Sequence, residues 1–530
     1  MPTLDWIGKK AVVNHHRQVP FHLLKKREDL SCGDPNSGNL LVQADNLLAL
    51  KALLPYYAGQ VKCIYIDPPY NTGEENWVYN DAVNSCEIRS WLGKTVGKSF
   101  EDLSRNDKWL CMMYPRVSLL REFLSDDGGI FVSIDDNSFP FLRLLFDEIF
   151  GPSNFVASII WQKRTSPDAR LPLGPAHDYI VVYAKNISKF KPTIKKIPFS
   201  DGRLKDYKNP DNDPRGPWAS VDLTGQTGHA TSEQFYEIIS PLGKKFRPPE
   251  GRCWAIAQKT VNELIVANRI WFGKNGHSRP RLKRFISESE GTTTWTWWPN
   301  LEVGHNQEAT KELNSIVGKA NVFDNPKPVR LITRILQMAS EKDSLILDSF
   351  AGSGTTGHAV MAQNKEDNGS RQFILVEMDS KICNNITANR LSKVIASYGE
   401  EVGLNGGFSY CELGSPLFDE TGQIKSEVTF HDLARHVFFT ETGNPLPEKA
   451  EKNFPLLGIV NGIAVYLLYN GVLKDKRPDS GNVLTVPVLH SLAPHDGPKV
   501  IYGVGCRIGA TRLAQEGITF HQIPYAIKVS

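Results

Sequence analysis

A chain of 530 residues is too long for one compact core, so we expect about two to four domains. Its 41% hydrophobic and 22% charged residues are ordinary for a soluble globular protein, and a net charge of +3 is too small to indicate a nucleic-acid-binding protein by itself. The eight cysteines form no CxxC pair and no Cys/His cluster, which argues against a disulfide framework and a metal centre. The sequence MPTLDWIGKK is not a signal peptide, and no apolar run could span a membrane, so we expect a cytoplasmic protein.

Strand and helix signals alternate in the first block of the chain. In order they are a strand at 39–46, a helix at 47–59, a strand at 61–70, a helix at 109–124, a strand at 128–135, a helix at 139–151, and strands at 155–164 and 179–186. Such alternation predicts a parallel sheet with helices on both faces.

The middle segment, residues 188–300, is rich in Pro, Gly and Trp and has few periodic runs. Between 190 and 300, 18 Lys and Arg residues stand against 11 Asp and Glu residues, a net charge of about +7. The run SRPRLKRF (278–285) is the densest basic spot. On charge alone, a solvated insertion and a nucleic-acid contact both remain open.

A second block of alternating elements follows, and then a further unit. The elements are a helix at 326–340, a strand at 343–350, a turn and helix at 351–364, a strand at 371–379, a linker-like segment at 405–422, and strands at 464–470, 481–489 and 498–505. We found neither internal repeats nor low-complexity segments.

The first chemical motif is LDSFAGSGTTG at 347–357. A strand that ends at Asp348 and runs through a glycine-rich turn into a helix is typical of a nucleotide-like cofactor site in an open parallel sheet. Gly352 and Gly354 allow the backbone to approach a ligand closely, and the helix N-terminus favours an anionic group. Glu377, at the end of the next strand, stands where an acid commonly binds ribose hydroxyls. These residues alone do not distinguish NAD from S-adenosylmethionine, and a tight structural turn is the alternative.

The second motif is DPPY at 67–70. Two prolines make a stiff, extended exit from the strand, and they leave the Asp67 carboxylate and the Pro68 carbonyl as acceptors beside the ring of Tyr70. Two acceptors and an aromatic face suit a flat base that carries an amino group. When both acceptors receive hydrogen bonds from the amino group, the lone pair of its nitrogen becomes localised. The hydrogen bond to Asp67 strengthens as positive charge develops on that nitrogen. The alternative is an ordinary turn after a strand.

Together, DPPYNTG and FAGSGTTG resemble the amino-methyltransferase family of DNA methyltransferases, which use S-adenosylmethionine. DPPY precedes FAGSG, with the basic segment between them, and this order is that of the circularly permuted β class. The string from the first strand to DSFAGSGTTGHAV is similar to the modification subunits of type III restriction–modification systems, over roughly residues 38–410. The resemblance implies an α/β, Rossmann-like methyltransferase fold, circularly permuted, with an inserted target-recognition domain and a small C-terminal α/β domain.

The resemblance also implies domain boundaries and site residues. The domains are an N-terminal extension (1–37), the catalytic half (38–187), the target-recognition domain (188–300), the cofactor-binding half (301–404) and a C-terminal domain (405–530). The catalytic residues are Asp67, Pro68, Pro69 and Tyr70. The cofactor-binding residues are Asp45, Asp67, Asn325, Lys327, Asp348, Phe350, Gly352, Ser353, Gly354, Thr355 and Glu377. Asp45 follows Ala44, where the family usually has glycine. His177 and Tyr183 match a segment that helps wall the base pocket, and a lone histidine there could equally be a packed core residue.

The implied activity is methylation of the N6 amine of a flipped adenine in double-stranded DNA. Cytosine C5 methylation is rejected because the chain has no Pro-Cys dipeptide. Cytosine N4 methylation stays open, although that branch usually has Ser at the position of Asp67, and RNA or protein methylation is less favoured. The chain could instead be an orphan methyltransferase, or chiefly the DNA-recognition subunit for a partner nuclease. The candidate partners are a helicase–nuclease subunit and a second copy of the chain.

The predicted phosphate contacts are four basic residues of the middle segment: Arg279, Arg281, Lys283 and Arg284. We expect Trp295 and Trp297, which alternate with threonines, to pack this segment against the catalytic domain and not to touch bases.

Overall fold

The computed structural model describes residues 4–71, 93–94, 104–167, 172–199, 201–318, 320, 322–399, 401–447, 454–469, 477 and 481–523. The chain forms two compact units. The larger contains Met1–Lys195 and Trp295–Ser530, and the smaller is Lys196–Thr294. Within the described ranges, no helix is long and apolar enough to cross a membrane.

Ten described strands of the larger unit form one sheet. They are β1 (His22–Gly33), β2 (Leu40–Gln43), β3 (Val61–Ile66), β4 (Leu124–Ile134), β5 (Phe155–Gln162), β6 (His177–Ala184), β7 (Trp297–Trp298), β8 (Leu345–Asp348), β9 (Gln372–Glu377) and β10 (Gly407–Pro416). Their order across the sheet is β1-β10-β2-β9-β8-β3-β4-β6-β5-β7. The strands from β10 to β4 run parallel, whereas β1 and β6 are antiparallel to their neighbours. The sheet is therefore mixed towards both edges and not wholly parallel.

Helices join and cover these strands. The longer ones in the larger unit are Asn46–Tyr57, Arg105–Phe123, Phe139–Phe150, Asn306–Val317, Val329–Ala339, Thr355–Asp367, Asn389–Ala396 and Phe430–Thr442. Short helical turns occupy Lys9–Val12, His15–Gln18, Ile187–Phe190, Asn300–Val303 and Ser380–Ile382, and a π-helical turn spans Cys383–Ala388. Local chemistry sets some of the starts: Ser104 and Asp107 form a capping box before Arg105–Phe123. Strand β3 is buried along its whole length, as a central strand with both faces covered should be.

The sheet order brings the two sequence motifs together. Strand β8 lies beside β3 in parallel register, with Leu347 opposite Ile64. Asp348 ends β8 and Asp67 follows β3, so both acids emerge at the same edge of the sheet. Ligands of open α/β sheets bind outside the carboxyl ends of the strands.

Two segments in which no strand was predicted from the sequence belong to this sheet. The N-terminal extension contains β1, which pairs with β10, and β10 lies in the segment interpreted as a linker. That interpretation of 407–416 is wrong. The Gly and Ser content masked an alternation in which Phe408 and Tyr410 are buried.

The smaller unit lies inside the segment 188–300. Its described strands are Trp218–Asp222, Thr224–Gln226, Ile238–Ile239, Lys245–Phe246, Arg252–Trp254, Ile270–Trp271 and Arg281–Phe285, and its α-helices are Asp201–Leu204 and Gln258–Val266. Trp254, Val261 and Ile270 belong to its own hydrophobic core. Its role as a target-recognition domain stays a prediction.

The C-terminal part of the larger unit carries a second described sheet. Its strands are Leu456–Val460, Ile463–Leu467, Lys499–Gly503 and Ile518–Gln522, with helices Val486–Ser491 and Ala510–Gln515. The strand expected at 481–489 is wrong for its second half, because residues 486–489 begin the helix Val486–Ser491. Only Val483–Leu484 is extended, because Thr485 caps the helix by accepting the Val488 N–H and Pro487 fits its first turn.

Candidate active site

The DPPY turn is fixed through its backbone. The indole Nε1 of Trp109 donates to the carbonyl of Pro69 at 2.7 Å, and the hydroxyl of Ser138 donates to the carbonyl of Tyr70 at 2.9 Å. Asn71, the next residue, has a φ of 61°, in the left-handed region. Because prolines already restrict the turn, these two bonds leave little freedom in how Asp67 and Tyr70 are presented.

The carboxylate of Asp67 has one engaged oxygen and one open oxygen. Oδ2 forms an ion pair with Lys327 Nζ. Oδ1 is buried and accepts no hydrogen bond from any residue that the structure describes. Lys327 is itself buried, and its ammonium lies 5.2 Å from the centroid of the Tyr70 ring. An acceptor that is buried and unsatisfied is costly, and it is the kind of group that an amine ligand satisfies.

Asp348 shapes the glycine-rich loop. Its Oδ1 accepts the Phe350 N–H at 3.0 Å, and its Oδ2 accepts the Thr356 hydroxyl at 2.6 Å. Burial raises the pKa of Asp348 to about 7, with the two hydrogen bonds opposing that rise. The carboxylate thus ties the first and last parts of the loop together.

Glu377 fixes the middle of the same loop. Its Oε2 accepts the Gly352 N–H and its Oε1 accepts the Asp379 N–H, both at 2.9 Å. Gly352 and Gly354 have φ values of 50° and 77°, a region that L side chains rarely adopt. A carboxylate oxygen has more than one lone pair, so these bonds leave the ribose role of Glu377 as a prediction.

Thr355 connects the loop to the segment of Lys327. Its hydroxyl donates to the Lys327 carbonyl at 3.1 Å and accepts from the guanidinium of Arg390 at 2.9 Å. Arg390 is fully buried, and it also contacts Ser353 Oγ at 3.2 Å and Glu312 at 3.3 Å. Sequence reasoning missed Arg390, because nothing in its local sequence indicates a buried guanidinium.

Asp45 caps a helix and forms an ion pair. Its Oδ1 caps helix Asn46–Tyr57 by accepting the N–H groups of Leu47 and Leu48, and its Oδ2 pairs with Arg116 at 2.8 Å. Asp45 does not line the cavity described next, and its contact with a cofactor stays a prediction.

One cavity of about 460 Å³ unites most of the predicted site. The predicted residues in its wall are Asp67, Pro68, Pro69, Tyr70, Asn325, Lys327, Asp348, Phe350, Gly352, Ser353 and Thr355. Gly354 and Glu377 are not among the residues that line it. Lys163 and Asp178 also line it and were not predicted from the sequence. In the sequence, Lys163 lies near the end of the predicted strand 155–164, and Asp178 directly precedes the predicted strand 179–186. Polar residues at strand ends are too common to identify a site by themselves.

The His177–Tyr183 segment contributes less to this cavity than predicted. Tyr183 is a core residue whose hydroxyl donates to Asp147 at 2.6 Å. His177 packs edge-on to Tyr179, with ring centroids 5.1 Å apart, and is not in the cavity wall. Tyr183 therefore lies in the core and does not line this cavity, unlike the prediction.

The four predicted phosphate contacts divide by exposure. Arg279, Arg281 and Arg284 are exposed, and Arg281 donates to the Ser220 carbonyl at 3.0 Å. The prediction for Lys283 is wrong, because its side chain is 0% exposed and pairs with the side chains of Asp211 and Asp213.

The expected packing of two tryptophans is also wrong. Trp295 is 70% exposed and Trp297 is 45% exposed. Trp298 is the buried member of the cluster, and its Nε1 donates to the Trp295 carbonyl at 2.9 Å.

Known proteins share this sequence pattern. The family model N6_N4_Mtase, described as DNA methylase, matches residues 61–389, more than half of the chain. The chain is 38% identical over 400 residues to the type III restriction-modification enzyme StyLTI Mod subunit of Salmonella typhimurium, covering 73% of this chain and 60% of that protein. It is 34% identical over 434 residues to the EcoPI Mod subunit of Escherichia phage P1, covering 74% and 65%. It is 30% identical over 371 residues to the type II methyltransferase M.KpnI of Klebsiella pneumoniae, covering 67% and 84%.

The chain thus spans less than two thirds of the length of these two Mod subunits, but most of the type II enzyme. The match over residues 61–389 contains both the DPPY turn and the glycine-rich loop. The predicted family is confirmed: this chain belongs to the N6_N4_Mtase family of DNA methylases.

Proposed function

We propose that this protein transfers a methyl group from S-adenosylmethionine to the N6 amine of a flipped adenine at specific sites in double-stranded DNA. The observation that carries the proposal is the open Oδ1 of Asp67, a buried acceptor beside the ring of Tyr70 in a cavity of about 460 Å³. Cavities of roughly 300–1,000 Å³ are usual for small ligands.

The cavity wall fits a cationic cofactor. It carries five acidic side chains, Asp67, Asp135, Asp178, Asp324 and Asp348, against three basic ones, Lys163, Arg164 and Lys327. This excess of acid suits S-adenosylmethionine, which supplies an electrophilic methyl group on a sulfonium. The loop at 350–355 would hold its nucleoside part, and Asn325 and Lys327 would lie at its amino-acid part.

The residues of the chain act on the amine in three ways. Asp67 Oδ1 accepts a hydrogen bond from an N–H group of the amine. This hydrogen bond draws the nitrogen towards tetrahedral geometry and stabilises the positive charge that develops on it. Lys327 holds the other oxygen and so fixes the direction of Oδ1. The ring of Tyr70 supplies the face on which the base stacks. An aspartate at position 67 favours adenine over cytosine.

The test compares DNA from cells with the wild-type gene, with the Asp67→Ala gene and with neither. Sequencing that reports modified bases should find N6-methyladenine at one recurring sequence only with the wild-type gene. Finding N4-methylcytosine there would replace adenine by cytosine as the target, and finding neither would refute the proposed activity.

A role as the modification subunit of a type III-like system is a second step of this proposal. It rests on the two Mod subunits to which the chain is similar, and its partner would be a helicase–nuclease. Affinity purification of the tagged protein from its own cells should recover that partner. Recovery of an active methyltransferase alone, as a monomer or a dimer, would favour an orphan enzyme.

A further inference from the structure

Asp178 is a buried carboxylate in the cavity wall for which the methyl-transfer scheme has no role. It is 2% exposed and stands near the start of β6. Its Oδ1 pairs with Lys163 Nζ at 2.5 Å, and its Oδ2 accepts the Tyr70 hydroxyl at 3.4 Å. The second contact is long, but hydrogen bonds in ligand-free sites often tighten when the ligand binds.

The Asp178–Lys163 pair is not needed to join the strands that carry it. Strands β5 and β6 are already aligned by a ladder that reaches from Phe155 to Gln162 and places Trp161 opposite Asp178. Burying a carboxylate is costly, and an ion pair of this kind seldom adds net stability. Burial raises the pKa of Asp178 to about 6, while Lys163 and Lys327 oppose the rise and Asp67 adds to it.

Tyr70 is fixed at both ends by this arrangement. Its carbonyl accepts the Ser138 hydroxyl at 2.9 Å, and its own hydroxyl reaches Asp178. A ring held at its backbone and at its tip has a defined plane, and a stacking platform must have one before the base arrives. Lys163 keeps the Asp178 carboxylate ionised and directs Oδ2 towards Tyr70.

We propose that Asp178 is a positioning residue of the methyl-transfer site, which anchors the Tyr70 hydroxyl and thereby sets the plane on which the target base stacks. This inference rests on the proposed function. Asp178 does not touch the base and acts only through Tyr70. Its effect must therefore disappear when the hydroxyl is removed.

The first test is independent of activity. The full-length protein carries 3-fluorotyrosine at position 70, and its ¹⁹F spectrum is recorded with Asp178 intact, as Asp178→Ala and as Asp178→Asn. We expect Asp178→Ala to move the resonance to the position of unrestrained fluorotyrosine, and Asp178→Asn to restore most of the shift, because the amide oxygen still accepts. The matched control is Asp213→Ala, which breaks the buried pair with Lys283 in the smaller unit and should leave the resonance unchanged. An Asp178→Ala spectrum identical to that of wild type would overturn the inference.

The second test is a double-mutant cycle on methyl transfer to unmethylated plasmid DNA. Asp178→Ala and Tyr70→Phe should each lower kcat/KM by about tenfold, the effect of losing one charge-assisted hydrogen bond. The double variant should be within about twofold of either single variant, because both remove the same interaction. Independent effects that multiply would show that Asp178 acts elsewhere and overturn the inference. A wild-type protein that methylates no DNA would refute the proposed function, and the ¹⁹F spectra would then still decide whether Asp178 holds Tyr70.

Discussion

Adding a methyl group at Gly354 should weaken cofactor binding without disturbing the rest of the fold. Gly354 has a φ of 77°, and a Cβ built there would lie 3.1 Å from Thr387 Cγ2. An L residue in this conformation carries about 1–2 kcal/mol of strain. The free Gly354→Ala variant can relieve that strain by moving the loop, and binding must then restore the original conformation. The affinity should fall by the same amount, which is about 5- to 30-fold.

The measurement is calorimetric titration with S-adenosylhomocysteine, a product that cannot react. The matched control is Gly59→Ala, because Gly59 has a φ of 69° and a Cβ there would meet nothing within 4 Å. Gly59→Ala should lose thermal stability and keep its affinity, whereas Gly354→Ala should lose affinity. If Gly354→Ala binds as wild type does, or if Gly59→Ala loses as much affinity, the loop is not the cofactor site.

Other substitutions should separate the parts of the site. Asp67→Ala should abolish methyl transfer and keep S-adenosylhomocysteine affinity within a few-fold, and calorimetry that finds no binding would contradict this. Tyr70→Ala should cost about 1–3 kcal/mol of stacking on the target base, seen as a lost fluorescence gain of 2-aminopurine at the methylated position. Arg284→Gln should reduce the salt dependence of DNA binding by about one unit. Lys283→Gln should leave that slope unchanged and lower the free energy of unfolding by about 3–5 kcal/mol, and an altered slope would return Lys283 to the DNA interface. Burial raises the pKa of Asp178 from 3.8 to about 6, so the folded state binds this proton more tightly than the unfolded state does. The resulting contribution to the free energy of unfolding is complete below pH 4 and is lost as the pH rises through 6. The thermal unfolding midpoint of Asp178→Asn should therefore rise relative to wild type from pH 4 to pH 7, by the equivalent of about 3 kcal/mol.

The features that the sequence predicted depend on short-range patterns. The strand before Asp67 was evident from a continuous apolar run, and the loop after Asp348 from its glycines. In contrast, the fate of a charged side chain depends on partners far along the chain. Lys283 was expected on the surface because its neighbours are basic, but Asp211 and Asp213 compensate its burial. A local window cannot show such a pairing.

The same limit explains why the prediction of the site from the sequence was incomplete. The motifs identified Asp67 and Tyr70 but not the groups that hold them, Asp178 and Lys163 among them. Lys163 follows β5 and Asp178 lies in β6, whereas Asp67 follows β3 almost a hundred residues earlier, and only the folded sheet brings these strands close together, in the order β3-β4-β6-β5. The resemblance to a family contributed Lys327, but not its ion pair with Asp67.

Lys327 gives the two halves of the site a common element. Its ammonium pairs with Asp67 in the DPPY turn, while its carbonyl accepts the hydroxyl of Thr355 in the glycine-rich loop. Thr355 is in turn held by the buried guanidinium of Arg390. Lys327 therefore joins the loop to the Asp67 carboxylate through one hydrogen bond and one ion pair. Since side chains that share a network respond together, loop substitutions such as Gly354→Ala should impair turnover by more than their loss of cofactor affinity accounts for. Substitutions in the smaller unit that only weaken phosphate contacts should raise the KM for DNA and leave kcat unchanged.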